Sequence, residues 1–176
     1  MVTRLSVKVV LSTIVALFFA SCTGVNEYSK EPFFQTNFDN IAGWVPEEKL
    51  LFGNAHSGNC AIMVDSLSQY SILWKRSLVR LSSQPLTKLR LSSFVKLLSA
   101  SNNACIVVSI DSKEKNLFWS SVDFKNYKLS QKSWTKMEGF VEFPIIHEVD
   151  ATISIYLWGR DGSSAILDDL EMEFSI

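Results

Sequence analysis

From residue 60 onward, apolar and polar positions trade places every residue over short runs. That period of two marks strands with one buried face. Eight runs carry it: CAIMVD (60–65), YSILWK (70–75), LRLSSFVKLL (89–98), CIVVSID (105–111), LFWSSVDF (117–124), MEGFVEFP (137–144), ATISIYLW (151–158) and AILDDLEMEF (165–174). Between them lie SSQP, SASNN, DSKEK, NYKLSQKS and GRDGSS, all rich in turn formers. No apolar stripe at helical spacing runs beyond two turns. Eight or nine short strands without intervening helices predict an all-β, antiparallel β-sandwich.

The first residues follow another pattern. Arg4 and Lys8 make a short basic start, Val9 to Ala20 an apolar stretch, and Phe19-Ala20-Ser21-Cys22 a small-residue ending. That order predicts a secretory signal over 1–21, with an apolar part too short to span a bilayer well. The ending resembles the lipobox of bacterial lipoproteins, with Phe19 where that pattern prefers Leu. The resemblance implies that Cys22 becomes the acylated, palmitate-bearing first residue of the mature chain; an ordinary signal peptide or anchor with Cys22 incidental is the alternative. At about 0.8 kcal/mol per buried methylene, more than one acyl chain holds a protein stably on a membrane. The expected organisation is signal peptide 1–21, tether 22–32 and sandwich domain 33–176, on the bacterial cell envelope and most naturally its outer membrane.

Charge and cysteines narrow the partners. Removal of 1–21 takes two of 17 basic residues and none of the 18 acidic ones, leaving a net charge of −3. That is no basic footprint, so nucleic acid is not expected as a partner. Cys60 and Cys105 have the option of pairing in an oxidising compartment. Alternation sets Cys60 on the face of Ile62 and Val64 and Cys105 opposite the face of Ile106 and Val108, so two unpaired thiols are expected.

In the run 165–174, strict alternation puts Asp168 on one face with Ile166, Leu170, Met172 and Phe174, and Asp169, Glu171 and Glu173 on the wet one. A buried carboxylate survives only if it is hydrogen-bonded, paired or metal-bound.

The segments FDNIAGWV, AHSGNCAIMVD, LTKLRLSSFVKLL, ACIVVSID, SWTKMEGFVEFP and SAILDDLEMEF resemble, in order and spacing, carbohydrate-binding modules of the galactose-binding-like jelly-roll type. Phe94-Val95-Lys96 is similar to that group's lysine-ending strand, Trp134 to its core tryptophan, and Asp168 to the aspartate of its terminal strand. The resemblance implies a jelly-roll over residues 33 to 176. It also implies a structural calcium held by Asp168, with Asp39 near the first strand and carbonyls of the FGNAHSG loop. The alternative is that Asp168 caps loop N–H groups without a metal.

Sugar binding uses flat rings against pyranose faces, flanked by polar groups that bond hydroxyls. If Ile153, Ile155 and Leu157 are core, Tyr156 and Trp158 stand on an outer face. Phe94 and Trp119 are their expected companions, with Trp74 ending another strand and Arg90, Lys96 and Arg160 as polar partners. Burial under loops is the plain alternative for these rings, and Trp44 is open between loop packing and a rim contact. Only His56 and His147 are available as catalytic bases, neither in a recognisable motif, so no enzyme is expected. Two readings remain: a lipid-anchored, non-catalytic glycan-binding protein, or an interaction lipoprotein that contacts another envelope protein.

Overall fold

In the computed structural model, which describes residues 32–40, 49–100, 102–113 and 115–176, the eight alternating runs are all strands. The described residues belong to one unit, Glu31–Ile176. The strands are β3 (Cys60–Val64), β4 (Tyr70–Ser77), β5 (Lys88–Leu97), β6 (Cys105–Asp111), β7 (Asn116–Asp123), β8 (Thr135–Glu142), β9 (Thr152–Trp158) and β10 (Ala165–Ser175). Two short strands precede them, β1 (Phe33–Thr36) and β2 (Leu50–Phe52). The opening strand therefore ends before Asp39, in a turn where Phe38 takes a φ of 61°. Cys22, the signal and tether segments before Pro32, and Trp44 lie outside the described residues.

Pairing is antiparallel throughout, and the strands form a two-sheet jelly-roll sandwich. Sheet A has the order β2-β3-β10-β5-β8, with β1 also on β10; sheet B has the order β4-β9-β6-β7. Long β10 keeps β5 along one edge and divides its other edge, residues 165–167 against β3 and 170–173 against β1. The core lies between the sheets: Leu89, Leu91 and Val95 from β5, Ile106, Val108 and Ile110 from β6, and Ile153, Ile155 and Leu157 from β9 are all buried.

Two bulges change which side chains reach that core. A one-residue slip in register reverses the face of everything beyond it. In β10 the register shifts between Asp168 and Glu171, where Asp169 adopts a φ of 48°. Before the bulge, Ile166 pairs with Lys96 and Asp168 with Phe94; after it, Met172 pairs with Leu91 and Phe174 with Leu89. Ile166 and Asp168 thus stand on the outer face of sheet A, whereas Leu170, Met172 and Phe174 point inward. Strict alternation had joined all five on one face. In β4 the shift between Ile72 and Trp74 turns Trp74 inward, against Phe34 at 4.9 Å and Phe174 at 5.6 Å between ring centroids. Trp74 is core, not a companion of the outer rings.

Among the described residues, Cys60 and Cys105 are unpaired, as alternation indicated. Cys60 belongs to the core between the sheets, while Cys105 is buried on the outer side of sheet B. Burial pushes the Cys105 thiol up to about 11 despite the opposing pull of Arg160. Burial, and then the carboxylates of Asp39 and Asp168, push the Cys60 thiol up as well. Because the thiolate is the reactive species, a Cys22→Ser protein is expected to react slowly with DTNB at pH 8 while folded, and at both remaining thiols after urea. Prompt labelling of the folded protein would contradict this placement.

Candidate functional site

Asp168 is fully buried and sits where a loop closes over sheet A. Its Oδ2 accepts hydrogen bonds from the backbone N–H of His56 (2.7 Å) and of Ser57 (3.0 Å), and its Oδ1 from the N–H of Asp169 (2.7 Å). The bulge turns Asp169 toward the same loop, where its carboxylate meets His56 Nδ1 at 2.6 Å and the hydroxyl of Ser57. Asp39 holds the far end of the loop: its Oδ1 accepts from the N–H of Asn59 (2.8 Å) and Cys60 (2.9 Å). Gly58, at a φ of 61°, leaves room for that carboxylate; a Cβ there would lie 1.7 Å from Asp39 Oδ2. The His56 ring then stacks on Phe94 at 3.6 Å and 10°, with the Trp134 ring at 5.9 Å and edge-on. Trp134 is half-buried beside this loop rather than in the core between the sheets.

The oxygens of Asp168 and Asp39 thus face N–H donors, and Asp39 Oδ2 also accepts from Asn37 Nδ2 (3.2 Å). Calcium takes six to eight oxygen ligands, and among the described residues no group of three His, Cys, Asp or Glu side chains is placed to hold a metal. The contacts around Asp168 are the hydrogen-bonded arrangement that a buried carboxylate requires.

A different cluster occupies the outer face of sheet B. The register lays the face out in rows across β4, β9, β6 and β7. Tyr70, Trp158, Cys105 and Asp123 make one row; Tyr156, Val107 and Ser121 the next; Lys75, Ser154, Ser109 and Trp119 a third. Residues with short side chains on β6 leave space for the rings on either side to meet above them. Tyr70 stacks on Trp158 at 5.5 Å and 16°, Trp119 meets Trp158 edge-on at 6.4 Å, and Trp119 Nε1 donates to the Tyr156 hydroxyl at 3.3 Å. Tyr70 and Trp119 remain about half exposed, at 51% and 46%. The Arg160 guanidinium lies 4.8 Å from the Trp158 ring centroid and donates to Asp123 Oδ1 at 3.4 Å. Asp111 accepts from Ser109 Oγ (2.7 Å) and Asn116 Nδ2 (2.8 Å), giving a second polar group at the rim. Trp158 Nε1 is buried without a hydrogen-bond partner.

The expected ligand set therefore divides between two opposite surfaces. Tyr156, Trp158, Trp119 and Arg160 come together on sheet B. Phe94, Arg90 and Lys96 belong to β5, in sheet A, whose outer face looks the other way; alternation within a strand does not reveal which sheet it joins. Phe94 is taken up by His56. Arg90 is bound between Glu138 and Glu173, each at 3.3 Å, and these contacts, Glu138 foremost, raise its guanidinium pKa. Lys96 is half-buried two positions beyond Phe94. The residue that sequence reasoning missed is Tyr70; its same-face relation to Trp158 arises only from the β4–β9 pairing.

No protein-family model matches the sequence, and neither does any curated protein. Among solved structures the chain is similar to carbohydrate-binding modules with jelly-roll folds. The CBM22-2 xylan-binding domain of Paenibacillus barcinonensis Xyn10C superposes with a TM-score of 0.54 at 13% identity, covering 81% of this chain and 99% of that one. A family 16 carbohydrate-binding module gives a TM-score of 0.49 at 13% identity, over 75% of this chain and 91% of the other. The fold is shared with the CBM22-2 domain.

Loss of the Asp168 carboxylate leaves three N–H groups without their acceptor, each costing about 1–3 kcal/mol if it stays buried. Asp168→Ala is expected to lower unfolding stability by at least about 2 kcal/mol in urea, and Asp168→Asn, which keeps one acceptor, by less. Burial raises the Asp168 pKa, partly offset by the N–H groups of Ser57, Asp169 and His56. The folded carboxyl then binds its proton more tightly than the unfolded one, so its contribution is full at low pH and declines as pH rises through the folded value. The advantage of wild type over Asp168→Asn should narrow in that direction, and a chelator should leave the melting temperature unmoved. Equal stability of Asp168→Ala and wild type, or a drop with chelator, would refute the arrangement.

Proposed function

We propose that this is a lipid-anchored protein of the cell envelope whose jelly-roll domain binds glycan, without catalysis, on the outer face of sheet B. The observation that carries this reading is the contiguous cluster of Tyr70, Trp158, Tyr156 and Trp119, two of whose rings are open to solvent. Rings on a rigid sheet present apolar area at little entropic cost. Asp111, Asn116, Ser121, Asp123 and Arg160 surround them with groups that bond hydroxyls. The nearby carboxylates are already engaged by hydroxyl, amide or guanidinium groups, an arrangement for positioning rather than for general acid–base work. The anchor rests on the lipobox-like ending at Cys22.

A second reading, contact with another envelope protein, draws on sheet A. There Phe33, Glu173, Arg90 and Phe140 form one cross-strand row, with both phenylalanines exposed at its ends. That row has the aromatic and arginine character of a protein interface.

Binding to a panel of plant and bacterial polysaccharides, xylan included, separates the two. Trp119→Ala is expected to weaken glycan binding at least about tenfold, about 1.4 kcal/mol, and Tyr156→Ala with Trp158→Ala to abolish it, while Phe140→Ser has no effect. Failure to bind any glycan, with Phe140→Ser releasing a protein partner, would favour the second reading. The anchor has its own check: Cys22→Ser should remove fatty-acid labelling and release the protein from membranes, and a mutant that stays membrane-bound would refute it.

A further inference from the structure

One end of the sandwich is apolar in a way the glycan reading does not use. A cavity of about 200 Å3 opens there between the β4–β5 loop and the β8–β9 loop, lined in part by Leu78, Leu86 and Ile146, which also pack against the core. Val79 and Val149 stand at its rim, Val149 81% exposed. Ile145 is exposed in the same β8–β9 loop, and Ile176 is exposed nearby, since Ser175 is tied to the β4–β5 loop by the Thr87 N–H. Val79 and Val149 at the opening, with Ile145 and Ile176 exposed at the same end, exceed the scatter of single apolar residues on ordinary surfaces. They are aliphatic, not aromatic, so they do not suit the faces of sugars.

The start of the domain lies at this same end. Phe33 pairs with Glu173, and the Pro32 carbonyl accepts from the Phe174 N–H, beside the close of β10. Ten Cα-to-Cα steps lead from Cys22 to Pro32, a reach of at most about 35 Å when fully extended. A lipid anchor on Cys22 would therefore join the domain at this pole, within that reach of the bilayer. Charge at the pole is nearly balanced: Arg80, Lys88, Lys113 and Lys115 stand against Glu142, Glu148 and Asp150, with Glu148 paired to Lys115 at 3.1 Å and Asp150 accepting the Lys113 N–H. Among the described residues the charges there do not select acidic headgroups, so the contact is apolar.

We propose that this pole rests on the lipid bilayer, with Val79, Ile145, Val149 and Ile176 entering the boundary between headgroups and acyl chains. The inference depends on the Cys22 anchor proposed above. Side chains of this kind partition into that boundary while the sandwich stays outside it.

The test uses the full acylated chain in phosphatidylcholine vesicles, with an NBD group attached at Val149→Cys or, as control, at Leu67→Cys on the opposite pole, where Leu67 is 95% exposed. Flotation reports the anchor and lipid-borne doxyl quenchers report the pole. The expected result is flotation of both, with a blue shift and loss of most emission at position 149 and neither change at 67. Flotation with both probes in water would overturn the inference and leave the anchor standing. No flotation would overturn the anchor and the inference with it. Shielding of position 149 only when other envelope proteins are added, without quenching from lipid, would assign the pole to a protein partner and overturn the inference too.

Discussion

A single buried carboxylate joins two parts of the chain that are 112 residues apart. Asp168 lies in the middle strand of sheet A, and the N–H groups of His56 and Ser57 converge on it. Burying such a group unpaired is prohibitive, so the loop between β2 and β3 has to fold over it. Much else follows from that closure. Gly58 and Asp39 are fitted to each other because the loop needs a second hold, and His56 comes to cover Phe94. The bulge with Asp169 in a left-handed conformation serves the same closure, since it adds a second carboxylate on the loop and returns Leu170, Met172 and Phe174 to the core.

The strands were legible because alternation is a local property, and all eight runs begin and end within two residues of where the sequence puts them. Faces were less legible. The sequence pattern of YSILWK carries no sign that an extra residue at Leu73 turns Trp74 inward, and DD in β10 reads as one continued alternation although Asp169 interrupts it. Sheet membership was not legible at all. Phe94 and Trp158 are both outward-facing rings, yet β5 and β9 lie in different sheets, so the anticipated platform belongs to two surfaces. β1 and β2 were too short for periodicity to mark them.

The two outer faces differ in how their polar groups are spent. On sheet A, Arg90 bridges Glu138 and Glu173, and Lys136 followed by Arg90 holds the Glu138 carboxyl below its ordinary range. Those charges balance one another in solvent and contribute little individually. On sheet B, hydroxyl, amide and carboxylate groups surround stacked rings, with one guanidinium laid on an indole.

The place of β10 has a consequence for how the molecule is made. It is the latest strand in chain order and yet the middle of sheet A, with β5 on one edge and β3 and β1 on the other. Its three partners in sheet A wait for it: β3 has only β2 beside it, β5 only β8, and β1 has no neighbour at all. Such long-range pairing is slow to assemble. Synthesis from the N-terminus therefore leaves sheet A in separate pieces, β2 with β3 and β5 with β8, until β10 has been made.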